Sequence, residues 1–256
     1  MGNLDTYYNK FNEDKRLSRR HGLVEFTTSM KYIHKYIGNR KGLKIIDIGA
    51  GTGGYSIPLS EEGHDVTAVE LAKPNLGKLK AKKSNVKAFH GTATDLKKFK
   101  SDTYDITILF GPLYHLISHQ DKLTALLEAK RVTKPGGYIF VAYCMNEYSI
   151  LTYGFKEHHV VECVKSGRFD RDFNCTPKAD ELYDYVRLEE IDRLNEEADL
   201  KRVKILSPDG PANYIRTTLN SLTEEEFELF IQYHLSICER PELLGAGAHI
   251  VDILQA

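Results

Sequence analysis

The stretch KIIDIGAGTGG, residues Lys44 to Gly54, decides the fold of this chain. An apolar run that carries one acid, Asp47, leads directly into four glycines within six positions. Such a stretch is typical of a buried strand, a tight turn and the start of a helix. Glycine suits the turn because a residue without a side chain adopts positive φ and lets backbone amides approach a ligand. The stretch therefore predicts a ligand-binding strand–turn–helix unit.

Two glycine patterns overlap in this turn. Gly49, Gly51 and Gly54 fit G-x-G-x-x-G, the pattern of dinucleotide-binding folds. Asp47 followed by Gly49, Gly51 and Gly53 fits D-x-G-x-G-x-G, the pattern of adenosylmethionine binders. The turn alone does not separate the two ligands, so residues further along the chain must do so.

Short β-rich runs alternate with helical stretches after Lys44, which indicates parallel βαβ units and a Rossmann-like, doubly wound α/β fold. The predicted strands are 44–49, 65–70, 85–90, 104–110, 138–145, 200–208 and 248–254. The predicted helices are 26–37, 54–62, 74–83, 120–132, 179–198 and 223–238. Pro135, Gly136 and Gly137 predict a tight turn before the fifth strand.

We expect a single domain with insertions, because 256 residues with 41% hydrophobic content can build one elaborated core. Residues 1–40 would form an N-terminal helical cap and residues 41–145 the cofactor-binding core. Residues 146–199 would form a lid insertion and a helix, because residues 146–180 are irregular and aromatic. Residues 200–256 would complete the sheet.

Charge and cysteine content exclude several classes of partner. The 35 basic and 36 acidic residues give a net charge of −1, which indicates neither a nucleic acid nor a membrane partner. Four cysteines without a C-x-x-C pair suggest neither a zinc site nor a disulfide framework. The chain shows no signal peptide or membrane span, so we expect a soluble, cytoplasmic protein. Its oligomeric state is open and includes a homodimer.

The residues that end the predicted strands are the candidates for ligand contact, because ligands of such sheets bind beyond the carboxyl ends of the strands. Glu70 ends the second strand, where a carboxylate can accept both hydroxyls of a ribose. Thr92 and Ala93 follow the third strand, where a hydroxyl and backbone amides can face an adenine edge. FGPLYHL, from Phe110 to Leu116, follows the fourth strand.

Taken together, these segments resemble the class I S-adenosylmethionine-dependent methyltransferases, in the small-molecule branch that includes quinone methyltransferases and glycine N-methyltransferase. The resemblance rests on IDIGAGTGGYSIPLSEEGHDVTAVE, GTATDL, YDITILFGPLYHL and RVTKPGGYIF, in the order and spacing of that family. It implies S-adenosyl-L-methionine as cofactor, a small-molecule methyl acceptor, no required metal, and an antiparallel seventh strand at 248–254.

The resemblance also implies the residues that contact the cofactor. They are Asp47, Gly49, Ala50, Gly51, Glu70, Leu71, Thr92, Ala93 and Phe110. Many family members carry Asp where this chain has Thr92, so adenine recognition could shift to Asp95. Arg19, Arg20, Tyr7 or Tyr8 could reach the cofactor carboxylate; the spacing does not choose among them, and we take Arg20 as the candidate.

His115 and Tyr114 are the candidate catalytic residues. A histidine beside the transferred methyl group could take a proton from the acceptor near neutral pH, and Tyr114 could orient the acceptor. A histidine held by backbone hydrogen bonds would look the same in sequence, and methyl transfer often needs no base. Residues 111–114 lack the Asp or Asn and the second proline of enzymes that methylate nucleic-acid amino groups, so base methylation is disfavoured.

Two other functions fit parts of the sequence. A nicotinamide-dependent oxidoreductase would explain G-x-G-x-x-G and the acid after the second strand, but neither FGPLYHL nor the KPGG segment. A noncatalytic adenosylmethionine-binding scaffold would explain the cofactor residues without any turnover. Methyl transfer to a nucleophilic N, O, S or C atom of a small molecule accounts for more of the motifs than either.

Overall fold

A computed structural model of the protein describes residue 7 and residues 17–179 and 181–256. Its strands are β1 (Lys44–Ile48), β2 (Asp65–Glu70), β3 (Lys87–His90), β4 (Tyr104–Leu109), β5 (Thr133–Cys144), β6 (Lys201–Leu206) and β7 (His249–Gln255). They form one sheet in the order β3-β2-β1-β4-β5-β7-β6. β7 is antiparallel to β5 and β6, whereas the remaining pairs are parallel. The predicted Rossmann-like sheet of seven strands with an antiparallel last strand is thus confirmed.

Helices cover both faces of this sheet. They are α1 (Arg20–Ile37), α2 (Ser56–Glu61), α3 (Lys73–Ala81), α4 (Pro112–His115), α5 (His119–Val132), α6 (Asn146–Ser149), α7 (Val160–Ser166), α8 (Leu188–Glu197), α9 (Arg216–Ser221) and α10 (Glu224–Ile237). A π-helix spans Ile150–Lys156 and a 3₁₀ helix spans Pro241–Leu243. The predicted capping box at the start of α10 is present, with Thr223 and Glu226 each accepting a hydrogen bond from the other's backbone N–H.

β5 shows how the sequence builds a core on both faces of the sheet. Alternate residues of a strand point to opposite faces. Ile139, Val141 and Tyr143 therefore pack in the cluster that includes α5 and α8, and Phe140 and Ala142 pack in the cluster that includes α1 and α2. Since all five residues are buried, this central strand needs apolar side chains throughout.

Three predictions of local structure need correction. The helix predicted over 179–198 begins only at Leu188; Asp184 N instead donates to Tyr114 O at 2.8 Å, and Val186 N donates to Cys144 O at 2.9 Å. The turn at Pro135–Gly137 is an irregularity inside β5, which starts at Thr133. The segment expected to be irregular, 146–180, contains α6, the π-helix and α7.

The carboxyl ends of β1, β2 and β4 meet at one edge of the sheet, because these strands are adjacent and parallel. The predicted ligand-binding segments follow these ends. Within the described residues, no helix combines the length and the apolar character that crossing a membrane would require.

Candidate functional site

A cavity of about 250 Å³ lies at this edge of the sheet. Of the residues that the sequence predicts at the site, those lining the cavity are Asp47, Gly49, Ala50, Gly51, Glu70, Leu71, Thr92, Ala93, Phe110, Tyr114 and His115. The fold thus brings together segments that lie up to 68 residues apart in the chain, from position 47 to position 115.

The glycine turn after β1 forms the floor of the cavity. Gly49 has φ of 80°, and a Cβ atom there would lie 2.6 Å from Pro112 Cδ. The backbone N–H groups of Gly49 and Ala50 both donate to Val69 O, at 2.8 and 3.2 Å. Only glycine tolerates both this φ and this close approach to Pro112, so the turn requires glycine at position 49.

Asp47 lies in β1, two residues before the glycine turn. Its carboxylate is 1% exposed and accepts a hydrogen bond from Ser56 Oγ at 2.5 Å. Burial raises the pKa of Asp47 to about 6, although hydrogen bonds from the side chain and backbone of Ser56 partly offset the rise. Asp47 therefore joins the end of β1 to the start of α2, consistent with its predicted role in organising the turn.

Glu70 ends β2 and connects two loops. Its Oε2 accepts a hydrogen bond from Gly51 N at 2.7 Å, and its Oε1 accepts one from Ala72 N at 2.7 Å. A carboxylate oxygen can accept more than one hydrogen bond, so these contacts leave acceptor capacity for a ligand. Glu70 therefore shapes the glycine turn and also presents a negative charge to the cavity.

Thr92 and Asp95, the two residues considered for adenine recognition, lie in the turn after β3. Thr92 Oγ1 lies 3.2 Å from Thr94 Oγ1 within its own turn, whereas Asp95 is exposed and accepts a hydrogen bond from Lys97 N at 3.3 Å. Asp95 is outside the cavity lining, so a shift of adenine recognition to it is not supported.

Asn75, which the sequence analysis missed, lines the cavity from the first turn of α3. Its Oδ1 is buried and has no hydrogen-bond partner among the described residues. A buried acceptor of this kind is costly unless a ligand or water donates to it. Asn75 thus adds a buried amide side chain to the cavity lining, although its Oδ1 is not itself exposed to the cavity.

Arg20 lies elsewhere, so its predicted role at the cofactor carboxylate is corrected. The Arg20 guanidinium donates to the backbone oxygens of Leu219 and Leu222 at 2.9 and 2.5 Å and to Glu224 Oε1 at 2.5 Å. It also lies over the ring of Phe227. These contacts join α1 to the end of α9 and the start of α10. The Arg20 guanidinium therefore connects these helices. Of the other candidates, Tyr8 lies outside the described residues.

Tyr114 and His115 close one end of the cavity from the short helix α4. His115 Nδ1 donates to Leu182 O at 2.8 Å, and burial lowers the pKa of His115 below its usual range. The ring of Tyr183 stacks on Tyr114 with a centroid distance of 5.9 Å and lies 4.9 Å from the His115 ring. Tyr183, which the sequence analysis did not identify, thus extends an aromatic wall beside the cavity.

Comparisons with known proteins agree with this geometry. Residues 46–141 match the family model described as a methyltransferase domain. A demethylmenaquinone methyltransferase of Staphylococcus aureus strain MRSA252 is 31% identical over 218 residues, which cover 78% of this chain and 86% of that protein.

Solved structures are similar at lower identity. A methyltransferase from Thermotoga maritima, described as a possible histamine N-methyltransferase, has a TM-score of 0.59 and 18% identity, covering 100% of this chain and 99% of its own. A geranyl diphosphate methyltransferase in complex with S-adenosylmethionine has a TM-score of 0.56 and 14% identity, covering 89% and 84%.

The two structural similarities establish the fold, and the Staphylococcus relative establishes the family. None of these proteins supports the nicotinamide-dependent alternative. The chain therefore belongs to the class I S-adenosylmethionine-dependent methyltransferases, in the small-molecule branch, and uses S-adenosylmethionine as its cofactor.

Proposed function

We propose that this methyltransferase acts on a small aromatic molecule, which binds against the wall formed by Tyr114, His115 and Tyr183. The observation that carries the proposal is the stacking of Tyr183 on Tyr114, because Tyr114 also lines the cofactor cavity. Aromatic rings prefer offset-stacked or edge-to-face neighbours, so such a wall favours a flat acceptor. The name of the Staphylococcus relative, a demethylmenaquinone methyltransferase, supports the same class of acceptor.

S-adenosylmethionine, when bound, supplies an electrophilic methyl group on a positively charged sulfur. In our proposal the backbone of Gly49, Ala50 and Gly51 runs alongside the methionine moiety of the cofactor. Glu70 accepts hydrogen bonds from the ribose hydroxyls, and Leu71 lies beside it. Asp47 keeps the turn in place through Ser56. Thr92, Ala93 and Phe110 complete the cofactor contacts, and we add Asn75 because it lines the same cavity from the first turn of α3.

His115 has the protonation state that a general base requires. Because a carbonyl oxygen only accepts hydrogen bonds, the contact with Leu182 O places the imidazole proton on Nδ1 and makes Nε2 the basic nitrogen. The lowered pKa keeps the ring neutral at pH 7. We propose that Nε2 accepts the acceptor's proton and that Tyr114 orients the acceptor for attack on the methyl group.

We further propose that the chain is one domain whose lid comprises residues 146–199. Two contacts from this segment to the site support the lid: Asp184 N donates to Tyr114 O, and Leu182 O accepts from His115. Asp184 also forms a buried ion pair with Lys122 of α5, which fixes the segment against the sheet's helical layer. A cytoplasmic location and a homodimer stay predictions.

Measuring S-adenosylhomocysteine formation across a panel of acceptors tests the proposal. We expect turnover with phenols or quinols and none with aliphatic amines or carboxylic acids of similar size. Tyr183→Ala should raise KM for the aromatic acceptor about 3- to 10-fold, which corresponds to the loss of one aromatic contact. The matched variant Tyr183→Phe keeps the ring and loses only the hydroxyl that contacts Tyr7. Turnover restricted to aliphatic acceptors would refute an aromatic acceptor.

A further inference from the structure

Three side chains with metal-ligating atoms converge near the acceptor side of the site. They are Glu25 of α1, Asp209 in the segment after β6, and His249, the first residue of β7. One ligand atom from each lies within 4.8 Å of those from the other two. In the part of the chain that the structure describes, no other group of three His, Cys, Asp or Glu residues meets this criterion.

The Asp209 carboxylate is held rigidly from several directions. Asp209 is fully buried, and its Oδ2 accepts hydrogen bonds from Asn213 Nδ2 and His249 Nδ1, both at 2.7 Å. Its Oδ1 accepts a third from the backbone N of His249 at 3.2 Å. Metal sites typically depend on such outer contacts, which fix the orientation of the ligands before the ion arrives.

Two of the three side chains are in contact with solvent. Glu25 and His249 are each partly exposed, so an ion from solution can meet them. The His249 ring also lies 6.1 Å from the ring of Tyr114, and Tyr114 lines the cofactor cavity. An ion held by these three residues would therefore lie next to the proposed acceptor position.

We propose that Glu25, Asp209 and His249 bind a divalent cation of the first transition series, such as Mn²⁺. One imidazole and two carboxylates suit metals that accept both nitrogen and oxygen, whereas Mg²⁺ and Ca²⁺ prefer oxygen ligands alone. The ion takes the place of the proton between His249 and Asp209. Three protein ligands leave coordination positions open, where an acceptor oxygen can bind and lose its proton more readily.

The cation site itself follows from the positions of the ligand atoms; only its role toward the acceptor rests on the proposed function. The family resemblance implied no required metal, and the sequence did not point to these three residues, which are remote in the chain and lack a ligand motif. Sheet topology brings two of them together, since β7 pairs with β6 and so places its first residue beside the segment that follows β6.

Titration of the full chain with Mn²⁺, without cofactor or acceptor, tests the site by calorimetry and electron paramagnetic resonance. We expect one saturable Mn²⁺ per chain and weaker binding of Mg²⁺. Asn213→Ala should lower Mn²⁺ affinity about 10- to 100-fold, and His249→Gln and Asp209→Asn should lower it further. Glu25→Gln should also lower Mn²⁺ affinity. Because Glu25 is a partly exposed helical residue, this variant tests the proposed site even if Asp209→Asn fails to fold.

A second histidine with two carboxylates provides the matched control. His119 contacts Glu190 through Nδ1 at 2.9 Å and Glu197 through Nε2 at 2.8 Å. These carboxylates lie on opposite edges of the ring and cannot surround one ion, so His119→Gln should leave Mn²⁺ binding unchanged. The proposal is overturned if wild-type protein shows no saturable Mn²⁺ binding, or if His119→Gln weakens binding as much as His249→Gln. Neither result bears on methyl transfer, which this experiment does not measure.

Discussion

Replacing Glu70 by Gln separates its two proposed roles, in the glycine turn and at the ribose. The carboxylate accepts backbone hydrogen bonds from Gly51 and Ala72, both at 2.7 Å. Glutamine retains one acceptor oxygen but places an NH₂ donor against the other amide, so one of these bonds is lost. A hydrogen bond to a charged group contributes about 1.5–3 kcal/mol. We expect the free energy of unfolding to fall by about that amount.

The ribose contact should be lost in addition, because the variant has no negative charge to accept from a hydroxyl. A loss of about 1.5–3 kcal/mol there corresponds to roughly a 10- to 100-fold rise in Kd. Calorimetry with S-adenosylhomocysteine measures the Kd, and urea unfolding measures the stability of the same sample. A variant that unfolds more easily yet binds with wild-type affinity would refute the ribose assignment.

Glu128→Gln is the matched control for this experiment. Glu128 Oε2 also accepts a backbone hydrogen bond at 2.7 Å, from Leu96 N, but Glu128 lies outside the cavity lining. The variant should lose stability by a similar mechanism and keep its cofactor affinity. An equal loss of affinity in both variants would mean that general destabilisation, and no ribose contact, explains the effect of changing Glu70.

Three further predictions follow from local geometry. Gly49→Ala should lower the free energy of unfolding by about 1–3 kcal/mol. The loss should exceed that of Gly63→Ala, because Gly63 also has positive φ but its Cβ would meet no described atom within 4 Å. Equal losses by urea unfolding would exclude a destabilising contact between the new Cβ and Pro112. Because burial lowers the pKa of His115, kcat should be flat above pH of about 6.5 and fall in more acidic solution as the base is protonated; a profile still rising between about pH 7 and 9 would contradict this role. Thr223→Ala removes the capping box of α10 and should cost about 1 kcal/mol, a Tm decrease of about 2–4 °C; an unchanged Tm by calorimetry would show that the cap contributes nothing.

The strands and most of the residues that line the cavity were predictable because their signals are local. The first strand ends in glycines and the second ends in an acid, and in parallel sheets both features lie at the edge where ligands bind. The strand predicted at 65–70 is observed as Asp65–Glu70, and the helix predicted at 120–132 begins one residue earlier, at His119. In these segments local preference and tertiary packing favour the same structure.

The errors occur where distant residues decide the local structure. Residues 181–187 were included in the predicted helix, yet Leu182 O is paired with His115 and Asp184 N is paired with Tyr114 O, which holds the segment extended. Arg20 was a reasonable partner for a carboxylate, but backbone oxygens at the end of α9 use its donors. Neither partner adjoins these residues in the chain, so the sequence pattern carried no signal for the contacts.

The position of β7 has a consequence for the order in which the protein assembles. β7 follows the other strands in the chain but occupies an inner place in the sheet, between β5 and β6. During synthesis, β1 to β5 can pair as they emerge, whereas β6 has no neighbour in the sheet until β7 arrives. Until then, β5 presents an open edge of the kind that recruits other chains into aggregates. Ribosomal stalling shortly before His249 leaves both β5 and β6 without their partner, whereas stalling before Leu188 leaves only β5, so the first should be more hazardous to this enzyme.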